Sequence, residues 1–277
     1  MKAVILPTTE SAPLRMQSEL SGAGAPLVVI GGGLTGWAGW RPLLPRLTPW
    51  RRVILLQPLN VQFGLESRPL PADYSVRMES GALMAALDSL VLNAPVDLIA
   101  WSFGALATLD FVLSHPERVR SVVLIEPPAL WVLPDHGRAD REVARLEKLV
   151  RDPAAEVTEE ILESFLNLAG FVPPGGNARQ LPQWPGWIGF RHSLRNTPAL
   201  FTHSDEISRV RNFNRPVLLA TGTGTSPFLR HVIDTLGAAF PRARVIEMPA
   251  GHAPHLVSPD RFFGELQAFL EEAALRL

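Results

Sequence analysis

The chain has 277 residues, with 26 Lys plus Arg against 27 Asp plus Glu, and no cysteine. A net charge of −1 lacks the basic footprint that phosphate backbones require, which argues against a nucleic-acid partner, and the missing cysteines exclude disulfides, thiol catalysis and thiolate metal sites. At 47% hydrophobic and 19% charged the chain can fill a large core, and its length suits one α/β domain carrying an insertion.

The opening Met1-Lys2-Ala3-Val4-Ile5-Leu6-Pro7 has too short an apolar stretch for a signal-peptide core, and no run reaches the ~20 residues of a membrane span. A soluble, cytoplasmic protein with no membrane span is expected. Short apolar runs bounded by Gly, Pro, Asn or Arg predict strands at Ala3–Leu6, Leu14–Gln17, Leu27–Ile30, Val53–Leu56, Val96–Ala100, Ser121–Ile125, Val217–Ala220 and Arg244–Met248. Helical spacing appears between the later runs. Leu83, Leu87 and Leu90 share a face, as do Phe228, Val232, Leu236 and Phe240, and Phe262, Leu266, Phe269 and Leu270. Near-continuous apolar strands alternating with helices predict an eight-stranded, mostly parallel sheet with helices on both faces.

Residues 127–215 break the alternation. They offer no strand, only amphipathic helices at Arg141–Val150 and Thr158–Leu168, then a Pro/Gly/Trp-rich stretch from Phe171 to Phe190. This predicts a helical cap, 127–215, inserted into a core formed by 1–126 and 216–277. Such a cap would lie over the carboxyl ends of the strands, where open α/β sheets bind ligands.

The most informative stretch is Ala100-Trp101-Ser102-Phe103-Gly104. An apolar strand runs into it, and a helix with Ala105, Leu106, Ala107 and Leu109 follows at once. A serine on so tight a strand-to-helix turn presents its hydroxyl outward, and needs small neighbours two positions either side because the backbones nearly touch. The helix start also directs N–H groups at the site, suited to a developing oxyanion. A nucleophilic serine needs a base. Of seven histidines, only His252 directly follows the last strand, in Gly251-His252-Ala253-Pro254-His255, ahead of a helix opened by Ser258-Pro259. His255 is expected to be structural or to support His252. With no carboxylate cluster beside them, the two are not expected to hold a metal.

At this point the chain resembles the α/β-hydrolase fold over nearly its whole length. Gly31-Gly32-Gly33-Leu34 after Leu27–Ile30, followed by Trp40-Arg41-Pro42, is similar to that family's oxyanion loop and first helix. Ala100-Trp101-Ser102-Phe103-Gly104 is similar to its nucleophile elbow. His115-Pro116-Glu117-Arg118 resembles the segment after the elbow helix, and Gly251-His252 with Pro259 and Phe262 resembles the histidine loop. The resemblance implies a serine nucleophile, Ser102, a base, His252, and an oxyanion hole from the backbones of Phe103 and Gly33 (or Leu34).

Two departures matter. Gly31 stands where the family usually has His, and Thr225 stands where it usually has the acid, with no carboxylate between Pro216 and Leu229. Glu126, at the end of the strand next to the nucleophile strand, is the favoured substitute. Many haloalkane dehalogenases carry a catalytic Glu in a similar place. Asp205, Asp234 or a Ser–His dyad remain open. The dehalogenase likeness ends there, because the places of its Asp nucleophile and halide-holding Asn and Trp are taken by Ser102, Gly33 and Phe103. An ether formed on serine could not be hydrolysed, whereas an acyl-serine could.

Leu34, Trp131, Trp184, Trp187 and Phe190, with Phe165 and Phe171, are candidates to line an apolar substrate pocket. Arg191 and Arg195 read as surface arginines or as a carboxylate site. The expected activity is serine hydrolysis of a carboxylic ester or related small apolar acyl compound, with no cofactor and no metal. The same triad would also suit a C–C bond hydrolase, lactonase, perhydrolase or lyase, and the fold also hosts non-hydrolytic cyclases and ligand-binding proteins.

Overall fold

A computed structural model describes residues 14–138, 140–150, 156–172, 175–196 and 198–275. The strands are β1 (Gln17–Ser21), β2 (Pro26–Ile30), β3 (Arg52–Gln57), β4 (Val96–Trp101), β5 (Val119–Ile125), β6 (Val217–Gly222) and β7 (Ala243–Met248). They form one sheet in the order β1-β3-β2-β4-β5-β6-β7. β1 runs antiparallel to β3, and every other pairing is parallel.

The sheet therefore has seven strands among the described residues rather than eight, and Ala3–Leu6 lies outside them. The strand expected at Leu14–Gln17 forms three residues later. As an edge strand with one partner, β1 is largely exposed, so it carries no apolar alternation to read. Met16 and Leu14 pack against the core just before it begins.

The main helices are α1 (Leu59–Leu65), α2 (Val76–Ser89), α3 (Phe103–Ser114), α4 (Arg141–Val150), α5 (Glu159–Leu168), α6 (Trp184–Phe190), α7 (Pro227–Ala239) and α8 (Pro259–Leu275). Ser75 starts α2 by accepting the Met78 N–H, and Thr158 starts α5 by accepting the Ile161 N–H. Strand alternation divides the interior in two. Leu98 and Ala100 of β4, with Val122 and Leu124 of β5, face the layer of α2, α3 and α7. Ile99, Trp101, Val123 and Ile125 face Trp40 and α8. α3 is buried from Phe103 to Leu113, as expected of a helix apolar on all sides at the centre of a core.

Between β5 and β6 the described residues form helices and turns only. Leu162, Leu166, Ala178, Trp184 and Leu194 from this segment make a third apolar cluster, and Leu34, from the loop after β2, packs into it. The carboxyl ends of β2, β4, β5, β6 and β7 thus lie beneath the helical segment. No helix of the described residues is long and apolar enough to cross a membrane.

Candidate active site

Ser102 lies between β4 and α3 with φ 55° and ψ −127°, a left-handed conformation that costs a non-glycine residue roughly 1–3 kcal/mol. The neighbouring structure holds it there. Its N–H donates to the Ile125 carbonyl at 2.9 Å, and its carbonyl accepts the Leu106 N–H at 3.0 Å. The two small flanking residues have the expected reason. Ala100 is fully buried. A Cβ on Gly104 would stand 2.0 Å from the Gly31 carbonyl oxygen, so α3 crosses the loop after β2 with no room for a methyl.

Glu126 repeats this arrangement one strand over. It follows β5 with φ 44°, and its N–H donates to the Ala220 carbonyl at 3.1 Å. Its side chain is fully buried. Oε1 accepts from Thr221 Oγ1 and the Gly222 N–H, each at 2.8 Å. Oε2 accepts from Thr225 Oγ1 at 2.8 Å and faces His252 Nδ1 at 2.6 Å. All four partners approach as donors, the arrangement an acceptor-only carboxylate takes.

His252 sits on the loop between β7 and α8. Its N–H donates to the Gly170 carbonyl and its own carbonyl accepts from Trp101 Nε1, both at 2.9 Å. Phe171 meets the ring edge-on at 4.9 Å. Nε2 lies 2.8 Å from Ser102 Oγ. With a carboxylate at Nδ1, the ring proton resides on that nitrogen, which leaves the Nε2 lone pair to receive the serine proton.

The structure thus brings Ser102, His252 and Glu126 into one line of contacts. Thr225, at the position expected of an acid, hydrogen-bonds Glu126. The other candidate acids lie elsewhere: Asp205 pairs with Arg209, and Asp234 is exposed on α7. His255 is stacked on Trp40 at 4.6 Å and packed against Trp101 and Phe262. Burial, then the nearby His252, pushes its pKa down to about 3, and neither ring nitrogen has a protein partner. Among the described residues no three His, Asp or Glu side chains group as metal ligands would.

Above Ser102 lies a cavity lined by Gly32, Gly33, Leu34, Trp101, Phe103 and His252 from the core, and by Leu146, Phe165, Phe171, Leu194 and Leu200 from the helical segment. The space inside it open to the centre of a water molecule is about 50 Å³. Among the described residues no Arg, Lys, Asp or Glu lines it. Of the pocket aromatics expected from sequence, Leu34's companions sit differently. Trp131 is buried in the core beside β5. Trp184 packs within the helical segment under the Arg179 guanidinium, 5.4 Å from its ring, and Phe190 joins the same cluster. Trp187 lines a second, open groove of about 810 Å³, beyond the wall made by Trp101 and Phe171. Arg191 and Arg195 donate to backbone carbonyls of Ile188 and His192 and do not line the cavity.

Sequence reasoning did not single out Thr221, which donates to Glu126, or Asn60. Asn60 Nδ2 donates to the Gly33 carbonyl at 2.6 Å and to the Ser193 carbonyl at 2.9 Å. A polar residue among the apolar ones of α1 was the only available signal.

A serine on a strained turn at the end of a strand of a mostly parallel sheet, with a histidine and a carboxylate behind it, fits the frame of a hydrolase fold. The family model described as "Alpha/beta hydrolase family" matches residues 24–265, and the chain belongs to that family. The 2-hydroxy-6-oxo-2,4-heptadienoate hydrolase of Pseudomonas putida is 42% identical over 107 residues, a match spanning 38% of each chain. RutD of Pseudomonas savastanoi pv. phaseolicola, whose name assigns it provisionally to carbamate hydrolysis, is 30% identical over 90% of this chain and 95% of its own. A solved hydrolase from Pseudomonas aeruginosa PA01 superposes with a TM-score of 0.74 at 22% identity, covering 92% of this chain and 94% of its own, a likeness of fold.

Proposed function

We propose that the protein is a serine hydrolase that cleaves a small, uncharged carboxylic ester or related acyl compound through an acyl-serine. The observation that carries this reading is the unbroken line Ser102 Oγ–His252 Nε2 at 2.8 Å and His252 Nδ1–Glu126 Oε2 at 2.6 Å. Ser102 Oγ attacks the carbonyl carbon as His252 Nε2 takes its proton. The carbonyl electron pair moves to oxygen, stabilised by the Phe103 N–H at the start of α3 and by a donor from the Gly33–Leu34 loop. Phe103 is the first residue of its helix, so its N–H has no partner within it. Collapse expels the leaving group, which takes the proton from His252. Water then enters, gives its proton to His252 and releases the acid by the reverse path. Glu126 fixes the ring and stabilises its positive charge.

The substrate class follows from the cavity. With no charged side chain among the described residues of its lining it favours a neutral group, and a space of about 50 Å³ suits a short acyl chain. In this reading residues 127–215 act as the cap over it.

A second reading, C–C bond hydrolysis, is favoured by the local similarity to the 2-hydroxy-6-oxo-2,4-heptadienoate hydrolase. A compound of that name has no ester, so its hydrolysis must break a carbon–carbon bond beside a ketone. It also carries a carboxylate, which no cation among the described lining residues would meet.

The test is a fluorophosphonate probe followed by peptide mass spectrometry, together with turnover of p-nitrophenyl acetate and butyrate. The reading expects one adduct, on Ser102, and turnover reduced at least a thousandfold in Ser102→Ala. An adduct on another residue, or ester turnover that survives Ser102→Ala, removes it. Turnover of a conjugated 6-oxo-dienoate in the absence of ester turnover selects the second reading.

A further inference from the structure

The loop that faces Ser102 is three consecutive glycines, Gly31-Gly32-Gly33, followed by Leu34. A glycine-rich loop can turn its peptide planes over at little cost. If the plane between Gly33 and Leu34 were turned over, the edge it now presents would be exchanged for the opposite one. A carbonyl facing the cavity would repel an oxyanion, so something has to fix the plane.

Asn60 is placed to do so. It is the second residue of α1 and only 1% exposed. Its Nδ2 donates to the Gly33 carbonyl at 2.6 Å and to the Ser193 carbonyl at 2.9 Å. Two carbonyls at one end of the side chain identify that end as the amide nitrogen, because the oxygen would repel both. Both amide hydrogens are thereby used. Asn60 is itself held. Its N–H and that of Leu59 donate to the two oxygens of Glu79, at 2.9 and 2.8 Å, and Tyr74 donates its hydroxyl to the same carboxylate. Glu79 is fully buried on α2. On the far side α1 packs so tightly on the helical segment that a Cβ on Gly64 would meet the Ser193 backbone at 2.9 Å.

The consequence lies in the peptide unit. Every described peptide bond is trans, so the Gly33 C=O and the Leu34 N–H point in opposite directions within one plane. An amide that draws the carbonyl towards α1 turns the N–H away from α1. Gly33 and Leu34 both line the cavity that holds Ser102.

We propose that Asn60 is a positioning residue for the reaction: by holding the Gly33 carbonyl it fixes the peptide planes of the Gly33–Leu34 loop, from which a backbone N–H reaches the oxyanion formed on Ser102. The assignment rests on the serine-hydrolase reading above. It also ties the oxyanion donor to the helical segment, because the same amide holds Ser193.

A trifluoromethyl ketone tests this directly. Ser102 Oγ adds to its carbonyl carbon, the proton passes to His252 Nε2, and the carbonyl electron pair becomes an oxyanion held in the hole. The matching methyl ketone occupies the cavity without forming that anion. In Asn60→Leu, kcat for p-nitrophenyl butyrate should fall about 10²–10³-fold, the loss typical of one oxyanion donor, with KM within threefold of wild type. Trifluoromethyl ketone inhibition should weaken by the same factor, and methyl ketone binding should not move. A general loosening of the site would change KM and both ketones together.

Amide NMR of the wild type adds a readout that needs no variant. On adding the trifluoromethyl ketone, the amide proton of Phe103 and that of Gly33 or Leu34 should move downfield. A wild type in which neither the Gly33 nor the Leu34 amide moves, or a folded Asn60→Leu with kcat within threefold of wild type, overturns the assignment alone. A wild type inert to both the ester and the trifluoromethyl ketone overturns the serine-hydrolase reading and this assignment with it.

Discussion

At the scale of single residues, the carboxylate is the feature that sets this site apart. Glu126 gathers Thr221, Gly222 and Thr225 on its two oxygens and leaves one position for His252. Thr225 stands where the resemblance implied an acid, and its hydroxyl donates to Glu126. Glu126→Gln replaces an acceptor with a donor at Oε1 or Oε2, so at least one of these four contacts turns repulsive. The His252 ring then loses both its fixed tautomer and its counter-charge. Turnover of p-nitrophenyl butyrate should drop by roughly 10³–10⁴-fold, by analogy with acid removal in the trypsin triad. Adding Thr225→Asp to Glu126→Gln returns a carboxylate to within reach of the same ring and should recover at least about tenfold, with kcat the parameter that responds. Thr225→Asp alone should impair the enzyme, because it sets a second carboxylate against Glu126. If the double variant is no better than Glu126→Gln, the two positions are not interchangeable supports for His252.

At the scale of elements, two left-handed residues end adjacent parallel strands: Ser102 after β4 and Glu126 after β5. Each turn lifts a functional side chain off the sheet edge. The first turn is closed by α3 crossing the loop after β2 at Gly104. Gly104→Ala would drive a methyl against the Gly31 carbonyl, a backbone atom that cannot rotate aside. It should destabilise the fold by about 2–4 kcal/mol, read by urea unfolding, and abolish activity even where the protein remains folded. This turn was legible in sequence because a tight crossing restricts residue type at two fixed offsets from the serine. Helices α4 and α5 were legible to within a residue because their apolar residues fall at helical spacing. The cavity lining was legible only in part: Leu34, Phe165 and Phe171 were among the expected residues and line it, whereas Trp131, Trp184, Trp187 and Phe190 do not. Leu146, Phe165, Phe171 and Leu200 come together only through the packing of the helical segment, and nothing in local spacing separates them from Trp131 or Trp184. Asn60 was hidden for the same reason, since its partners are 27 and 133 residues away. Phe171 forms part of the wall between the cavity and the outer groove. Phe171→Ala should therefore join the two spaces and shift the preferred p-nitrophenyl ester from two or four acyl carbons towards eight or more, measured as the ratio of kcat/KM values. An unchanged chain-length profile would mean the wall stands without this ring.

At the scale of the whole molecule, the site is a junction of parts distant in sequence, and the histidine loop is where they meet. Trp101 from the sheet and Gly170 from the helical segment both hydrogen-bond the backbone of His252, while His255 is packed among Trp40, Trp101 and Phe262 beneath it. A neutral imidazole suits that aromatic enclosure, but an imidazolium there would be buried beside a second histidine and without a hydrogen-bond partner from the protein. This makes His255 a source of acid sensitivity. Its pKa in the folded protein is about 3, against an ordinary value of about 6.5 in an unfolded chain. Between those limits the unfolded chain binds a proton that the folded one refuses. Stability is therefore complete above about pH 6.5 and declines as the pH falls towards 3, by roughly 1.4 kcal/mol for each unit within the window. Replacing His255 with phenylalanine keeps an aromatic ring in the stack and removes the titration. Urea unfolding of both proteins from pH 7 to pH 4 should give a clearly shallower acid limb for His255→Phe, with the remaining slope due to other groups such as paired carboxylates. Esterase activity at pH 7.5 should stay within about tenfold of wild type, because His255 touches neither Ser102 nor Glu126, whereas His252→Ala should lose as much as Ser102→Ala. Parallel acid limbs in the two proteins would mean that the His255 enclosure accepts the charged ring, and the loop beneath His252 would then have to open to water at mildly acidic pH.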